Sequence, residues 1–381
     1  MRFNLTGPMA ALLAGLLAAC SPAPGPPVTD FTSLDTDIQA LMASEDVKGL
    51  AYAVIDHGEV MHVAAFGYRN VEAGLPLQTD TIMYGASLTK AAFGFMMMQL
   101  VDEGLIDLDA TIDTYLPRPL PEYEDWTSLA DDPEWRLLTP RILLSHSTGL
   151  ANLRFLEPDG QLDFHREPGT RYGYSGEGFY ILQFVLEEGL GLDVKTEMQT
   201  RVFDRFGMPN TSMQWREDFA GNLADGYAID GSFEPHDERS WVSASGSMDT
   251  TIADQARMWA GMFRGDGISA AARAEMLNPQ LAIHSATQFP SLTDETSPRG
   301  PEIGLAAGLG VDLYQDGSGH WWSKGGHNPW TGNQAICHEE AQRCIVLLAN
   351  SVRAERIYPQ MVERVLGENP VPWWWYYPDQ F

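Results

Sequence analysis

The 381 residues carry 24 Lys and Arg against 52 Asp and Glu, a net charge of −28 at pH 7. So acidic a chain has little with which to build the basic face that phosphate backbones require, which excludes nucleic acid as a partner. With 44% hydrophobic and 10% aromatic residues, it has ample side chains for a large core and is neither disordered nor fibrous in composition.

The chain opens with Arg2 ahead of an apolar run from Met9 to Ala19 that ends in Leu17-Ala18-Ala19-Cys20. The run is short of the roughly 20 residues a membrane-spanning helix needs and reads as a signal peptide over residues 1–19. Small residues before Cys20 are what a lipoprotein signal peptidase accepts, so Cys20 is expected to be the lipidated N-terminus. The alternative is an ordinary secretory signal with an incidental cysteine. Residues 20–30, rich in Pro and Gly, are then a flexible tether. Ser21 after Cys20 is similar to bacterial lipoproteins bound for the outer membrane, which implies a periplasm-facing lipoprotein of the cell envelope.

Gly49 to Asn70 alternates apolar residues around Asp56-His57-Gly58 and predicts a β-hairpin. After Ser87 the apolar positions Ala91, Ala92, Phe95, Met96, Leu100 and Val101 follow a helical period, with a broad buried face that ends at Gly104. Residues 105–240 alternate helical stretches with Pro- and Trp-rich loops and are expected to be an all-helical insert. Within it Thr139-Pro140 has the form of an N-cap followed by proline at the first helical position. A further helix is expected after Thr250-Thr251. Short β-rich runs return at Ala307–Tyr314, Trp321–Lys324, Gln334–Cys337 and Cys344–Asn350, before an amphipathic helix over Ala354–Leu366. Strands at both ends with helices between them predict an α+β fold: one antiparallel sheet flanked by helices, over residues 31–366. Residues 367–381 form an aromatic tail, for which packing on the domain, a membrane interface and a partner all remain open. Export to an oxidising compartment favours a disulfide between Cys337 and Cys344, across a hairpin. The alternative is a pair of reduced core cysteines.

Lysine occurs only at Lys48, Lys90, Lys195 and Lys324, and only Lys90 has a serine three residues earlier, in Ser87-Leu88-Thr89-Lys90. If Ser87 opens the helix, positions i and i+3 share a face and the amine can reach the hydroxyl. The positive end of the helix dipole then favours negative charge developing on the nucleophile. Two further elements follow: Tyr172-Gly173-Tyr174-Ser175-Gly176 in the insert and Lys324-Gly325-Gly326 on a late strand. The nine histidines form no compact cluster with cysteine or paired carboxylates, so no metal and no cofactor is expected.

Ser-x-x-Lys, then Tyr-Ser, then Lys-x-Gly is the motif order of serine β-lactamases and penicillin-binding proteins. From Phe31 to Leu366 the chain resembles the class C β-lactamase-like group that includes family VIII esterases and D-aminopeptidases. The stretches Thr139–Leu150, Phe206-Gly207-Met208 and Ala244–Met248 share that likeness. It implies a β-lactamase/transpeptidase-like fold with Ser87 as nucleophile, and with Lys90 and Tyr174 exchanging its proton while Lys324 holds charge nearby. The oxyanion would sit between the backbone N–H groups of Ser87 and His327, with the His327 side chain lining the cleft rather than moving protons. His146 reads as a structural loop residue. Gly325, Gly326, Trp330 and Gly176 are the expected substrate contacts, and Trp321 and Trp322 either shape a pocket or pack in the core.

Two positions depart from the family pattern. Gly176 stands where the family usually has asparagine, and Gly325 where it has threonine; these groups contact the acyl-amide and the carboxylate of β-lactams. Glu177 beside the gap reads as a solvated surface residue. The expected activity is therefore that of an esterase-like serine hydrolase working on a small-molecule ester or amide through an acyl-enzyme. A D-amino-acid peptidase or amidase, or a weak β-lactamase, is the alternative of the same class. A non-catalytic scaffold that keeps the fold is the alternative of another class.

Overall fold

A computed structural model describes residues 27–381; the expected signal segment, Cys20 and most of the tether lie outside the described residues. The hairpin forms as predicted from β1 (Gly49–Asp56) and β2 (Glu59–Asn70). His57 and Gly58 at its turn have φ of 49° and 72°, the two positive values that a two-residue type I′ turn requires. A short β3 (Leu75–Pro76) follows. The other strands of the main sheet come late in the chain: β4 (Leu281–Ala282), β5 (Ala306–Ala307), β6 (Asp312–Asp316), β7 (Gly319–Asn328), β8 (Thr331–His338) and β9 (Arg343–Ala349).

All nine join one antiparallel sheet in the order β3-β2-β1-β9-β8-β7-β6-β5-β4. The two ends of the chain meet where β1 pairs with β9, from Leu50 opposite Ala349 to Asp56 opposite Arg343. Cys337 and Cys344 face each other across β8 and β9 and are disulfide-bonded.

Helices cover both faces of the sheet. They are α1 (Phe31–Ser44), α2 (Leu88–Asp102), α3 (Gly176–Phe184), α4 (Ile252–Arg264) and α5 (Tyr358–Leu366). On one face Ala51, Ala53, Ile55, Trp322, Val346 and Leu348 share a core with α2, α3 and α4. Alternate residues of the same strands, Leu50, Tyr52, Val54, Trp321 and Leu347, point to the other face and pack with α1 and α5. With both faces covered, β1 and β9 are buried almost throughout. Their apolar runs are correspondingly continuous.

Helix α2 lies between the sheet and the insert, and Leu88 through Leu100 are all buried. That is more than the single broad face its spacing predicts, because a second layer covers the side turned away from the sheet. Thr139 is an N-cap as expected, and Thr251 caps the helix expected after it, their hydroxyls accepting from the N–H groups of Ile142 and Asp254. The stretch expected as one helix over Ala354–Leu366 begins as a 3₁₀ turn at Val352–Ile357 before α5.

The insert is not all-helical: besides short helices and 3₁₀ turns it holds a strand pair, Gly226–Tyr227 with Phe233–Glu234. Prolines at 119, 121 and 133 remove backbone donors and keep its helices short. Trp321 and Trp322 are core residues, 1% and 2% exposed. The aromatic tail packs on the domain, with Trp375, Tyr376 and Tyr377 buried in the α1/α5 core.

Candidate active site

The chain reaches Ser87 through Ala86, which holds the left-handed φ of 47°, a backbone state that costs a side-chain-bearing residue energy and recurs at functional sites. Ser87 then occupies the N-cap of α2. Serine is favoured at that position because its hydroxyl usually accepts from the first helical N–H groups, yet the Ser87 side chain makes no capping bond. Its Oγ instead accepts from Lys90 Nζ at 3.1 Å. The helical spacing thus places the amine on the hydroxyl.

Lys90 is 2% exposed and also donates to the Ser245 carbonyl at 2.5 Å. Among the described residues no carboxylate pairs with it. Burial brings its pKa down to about 8, against the opposing pull of Tyr174 and with help from the nearby Lys324 charge. Lys324 follows Trp322 by two positions on β7, so it points to the same sheet face as that core tryptophan, toward α2. Its Nζ donates to the Tyr174 hydroxyl at 3.3 Å.

Tyr174 lies directly before α3, where Ser175 is the N-cap and accepts from the Gly178 N–H. The phenol ring has Lys90 Nζ 5.0 Å and Lys324 Nζ 4.5 Å from its centre. Burial would raise its pKa, but the Lys324 and Lys90 charges outweigh burial and hold it below the ordinary value of 10. Below the ring, His146 stacks on it at 4.2 Å, and the His146 Nδ1 accepts from the Ser175 N–H at 3.1 Å. Burial and the two lysines push His146 far below the usual imidazole range, so this histidine is a neutral support for Tyr174.

The strand passes close to the helix N-terminus at Gly326. A Cβ there would fall 2.6 Å from the Gly85 carbonyl oxygen and 3.2 Å from the Ser87 nitrogen, so only glycine lets β7 approach Ser87 this closely. A cleft of about 730 Å³ opens at this junction, lined by Ser87, Tyr174, Gly325, Gly326, His327 and Trp330, among others. The His327 imidazole is 47% exposed to it, and its Nδ1 lies 2.6 Å from an oxygen of Glu355, whose side chain is fully buried. Burial acts to lower the His327 pKa, but the Glu355 carboxylate outweighs it and the imidazole is raised.

The expected quartet of Ser87, Lys90, Tyr174 and Lys324 is therefore brought together. Gly176 is not part of the cleft: its N–H donates to Asn152 Oδ1 at 2.9 Å, and a Cβ would meet Asn152 and Leu153. The N-cap at Ser175 turns the chain into α3, carrying residue 176 behind Tyr174. Glu177, expected in solvent, is 2% exposed and is paired with Arg154 at 3.0 Å. Sequence reasoning did not find Ser245, which acts through a backbone carbonyl that any residue possesses, nor Glu355, whose side-chain hydrogen-bond partners His327 and Gln380 are remote from it in sequence. The signal in the sequence that contains Ser245 is the family-like stretch Ala244–Met248.

A family model described as Beta-lactamase matches residues 34–366. The chain belongs to the beta-lactamase family. Members of this family are serine hydrolases, and the relatives include esterases and peptidases. A lovastatin esterase from Penicillium rubens is 28% identical over 225 residues, covering 50% of this chain and 56% of the relative. A D-aminopeptidase from Gluconobacter oxydans is 24% identical over 230 residues, covering 58% and 43%. Esterase EstB from Burkholderia gladioli is 33% identical over 157 residues, 41% and 36% of the two chains. The match thus spans about half the length of these curated relatives. Among solved structures, the octameric penicillin-binding protein homologue from Pyrococcus abyssi superposes with a TM-score of 0.72 at 21% identity, covering 90% of this chain and 79% of that one. The likeness bears out the β-lactamase/transpeptidase-like fold expected from motif order.

Proposed function

We propose that the protein is an esterase-like serine hydrolase that forms an acyl-enzyme on Ser87. The observation that carries this reading is a helix-capping serine that leaves its cap unmade and is instead hydrogen-bonded to a buried lysine without a carboxylate partner. A lysine in that setting gives up its proton near neutrality and can accept the one on Ser87. Attack on the ester carbonyl forms the Oγ–C bond and places negative charge on the carbonyl oxygen. The N–H groups of Ser87 and His327 would receive that oxygen. Collapse then breaks the bond to the alcohol, which leaves with the proton held by Lys90 and Tyr174, and water later releases the acid by the reverse proton route.

Preference for esters rests on the polar group missing from the cleft. Gly325 lines it beside Lys324 and has no hydroxyl, so a substrate carboxylate loses the partner it meets in β-lactamases. Similarity to relatives named as esterases agrees with this. The D-aminopeptidase relative supports the second reading, a D-amino-acid peptidase. The test compares kcat/KM for a p-nitrophenyl ester, a D-alanyl p-nitroanilide and a chromogenic cephalosporin. The ester is expected to exceed the other two by about 100-fold or more; a larger value for the anilide moves the assignment to peptidase, and for the cephalosporin to β-lactamase.

A further inference from the structure

The aromatic segment at residues 367–381 is the one prominent sequence feature that the chemistry above leaves without a role. In the structure it forms one side of the cleft, where Tyr376, Tyr377, Pro378, Asp379 and Gln380 face the catalytic strand. We propose that Tyr376–Gln380 is a specificity-determining wall, whose end limits the length of the acyl chain that the cleft accepts. The inference rests on the hydrolase reading and adds the substrate class to it: esters of short apolar acids.

Three observations support it. The wall is anchored to both neighbours of the site. Trp375 Nε1 donates to Ser285 Oγ at 3.1 Å, and its carbonyl accepts from the Gln288 N–H at 2.9 Å. That ties it to the loop whose Phe289 ring meets the edge of Tyr174 at 5.2 Å. On the other side the Tyr376 hydroxyl lies 2.8 Å from Ser323 Oγ, one residue before Lys324, and donates to Asp312 at 3.1 Å.

Second, the wall is tied to the proposed oxyanion region. Gln380 Nε2 donates to Glu355 at 3.1 Å, and the other Glu355 oxygen holds His327. A fully buried carboxylate shared between the catalytic strand and the tail is costly to leave unpaired, so the two move as one unit. Third, the surface facing the tail offers apolar side chains, Ile229, Phe289, Trp330 and Val352, set among polar ones such as Asp230, Gln288 and Arg356. Such a lining gains free energy from each buried methylene until the wall is reached, and loses it beyond.

The segment divides usefully for experiment: Trp375 to Tyr377 are buried, while Pro378, Asp379 and Phe381 are exposed. A chain ending at Tyr377 therefore keeps the aromatic anchors and removes only the end of the wall. The readout is the ratio of kcat/KM for p-nitrophenyl octanoate to that for p-nitrophenyl acetate, which does not depend on the fraction of active protein. Truncation is expected to raise this ratio about tenfold or more, and Gln380→Ala in the full-length chain, which cuts the tie to Glu355, to raise it by a smaller factor. An unchanged ratio in both variants overturns the proposal. A full-length chain that hydrolyses neither ester overturns instead the hydrolase reading beneath it.

Discussion

Lys90→Met is expected to lower kcat/KM for an ester by about 10³-fold and to remove the dependence of the rate on a group titrating near pH 8. Methionine matches the length of the lysine stem and suits its apolar surroundings, so the loss reports the amine and not the packing. Leaving the Ser245 carbonyl without its donor costs about 1–3 kcal/mol of stability. A thermal unfolding measurement separates that cost from the catalytic loss. The sign of the pH effect follows from the role. Lys90 must be unprotonated to take the Ser87 proton, and its pKa is about 8, so kcat/KM of the unmodified protein climbs as pH rises through about 8. A rate that falls over the same interval would remove Lys90 from the proton path.

Tyr174→Phe is expected to lower kcat/KM by about 100-fold and to move the rise of kcat/KM with pH to lower pH. The phenol ring fills the space between the two lysines, which phenylalanine preserves. Tyr174 raises the Lys90 pKa, opposing the effect of burial, so its removal lets that pKa fall further. Because Lys90 and Tyr174 act on each other this closely, the midpoint belongs to the pair rather than to one residue. A midpoint that stays in place in the phenylalanine variant, or moves upward, would mean that Tyr174 does not act on Lys90.

The parts of this account that depend on local spacing were legible in the sequence. Ser87 and Lys90 meet because three residues of helix bring them onto one face, and the β1–β2 hairpin forms because His57-Gly58 can take the required turn. Motif order then located Tyr174 and Lys324, which the fold brings to within 3.3 Å of each other from 150 residues apart.

What remained hidden depends on contacts between distant segments. Glu177 reads as a surface residue because nothing nearby in sequence reveals that Arg154 will cover it. The same holds for Glu355, whose partners His327 and Gln380 come from a strand and from the tail. Gly176 is expected in the cleft because it stands where the family usually has asparagine, two residues after Tyr174. A helix start at Ser175 is enough to turn it away. The expectation of an all-helical insert failed for a different reason, since residues 226–234 make a strand pair too short to leave a periodic signal.

The most direct test of the central claim is the intact mass of the protein quenched during turnover of a p-nitrophenyl ester, beside the Ser87→Ala variant treated identically. A mass increase equal to one acyl group is expected in the unmodified protein, mapped to Ser87, and no increase in the variant. Turnover that persists in Ser87→Ala, or an acyl group carried by another residue, would contradict it.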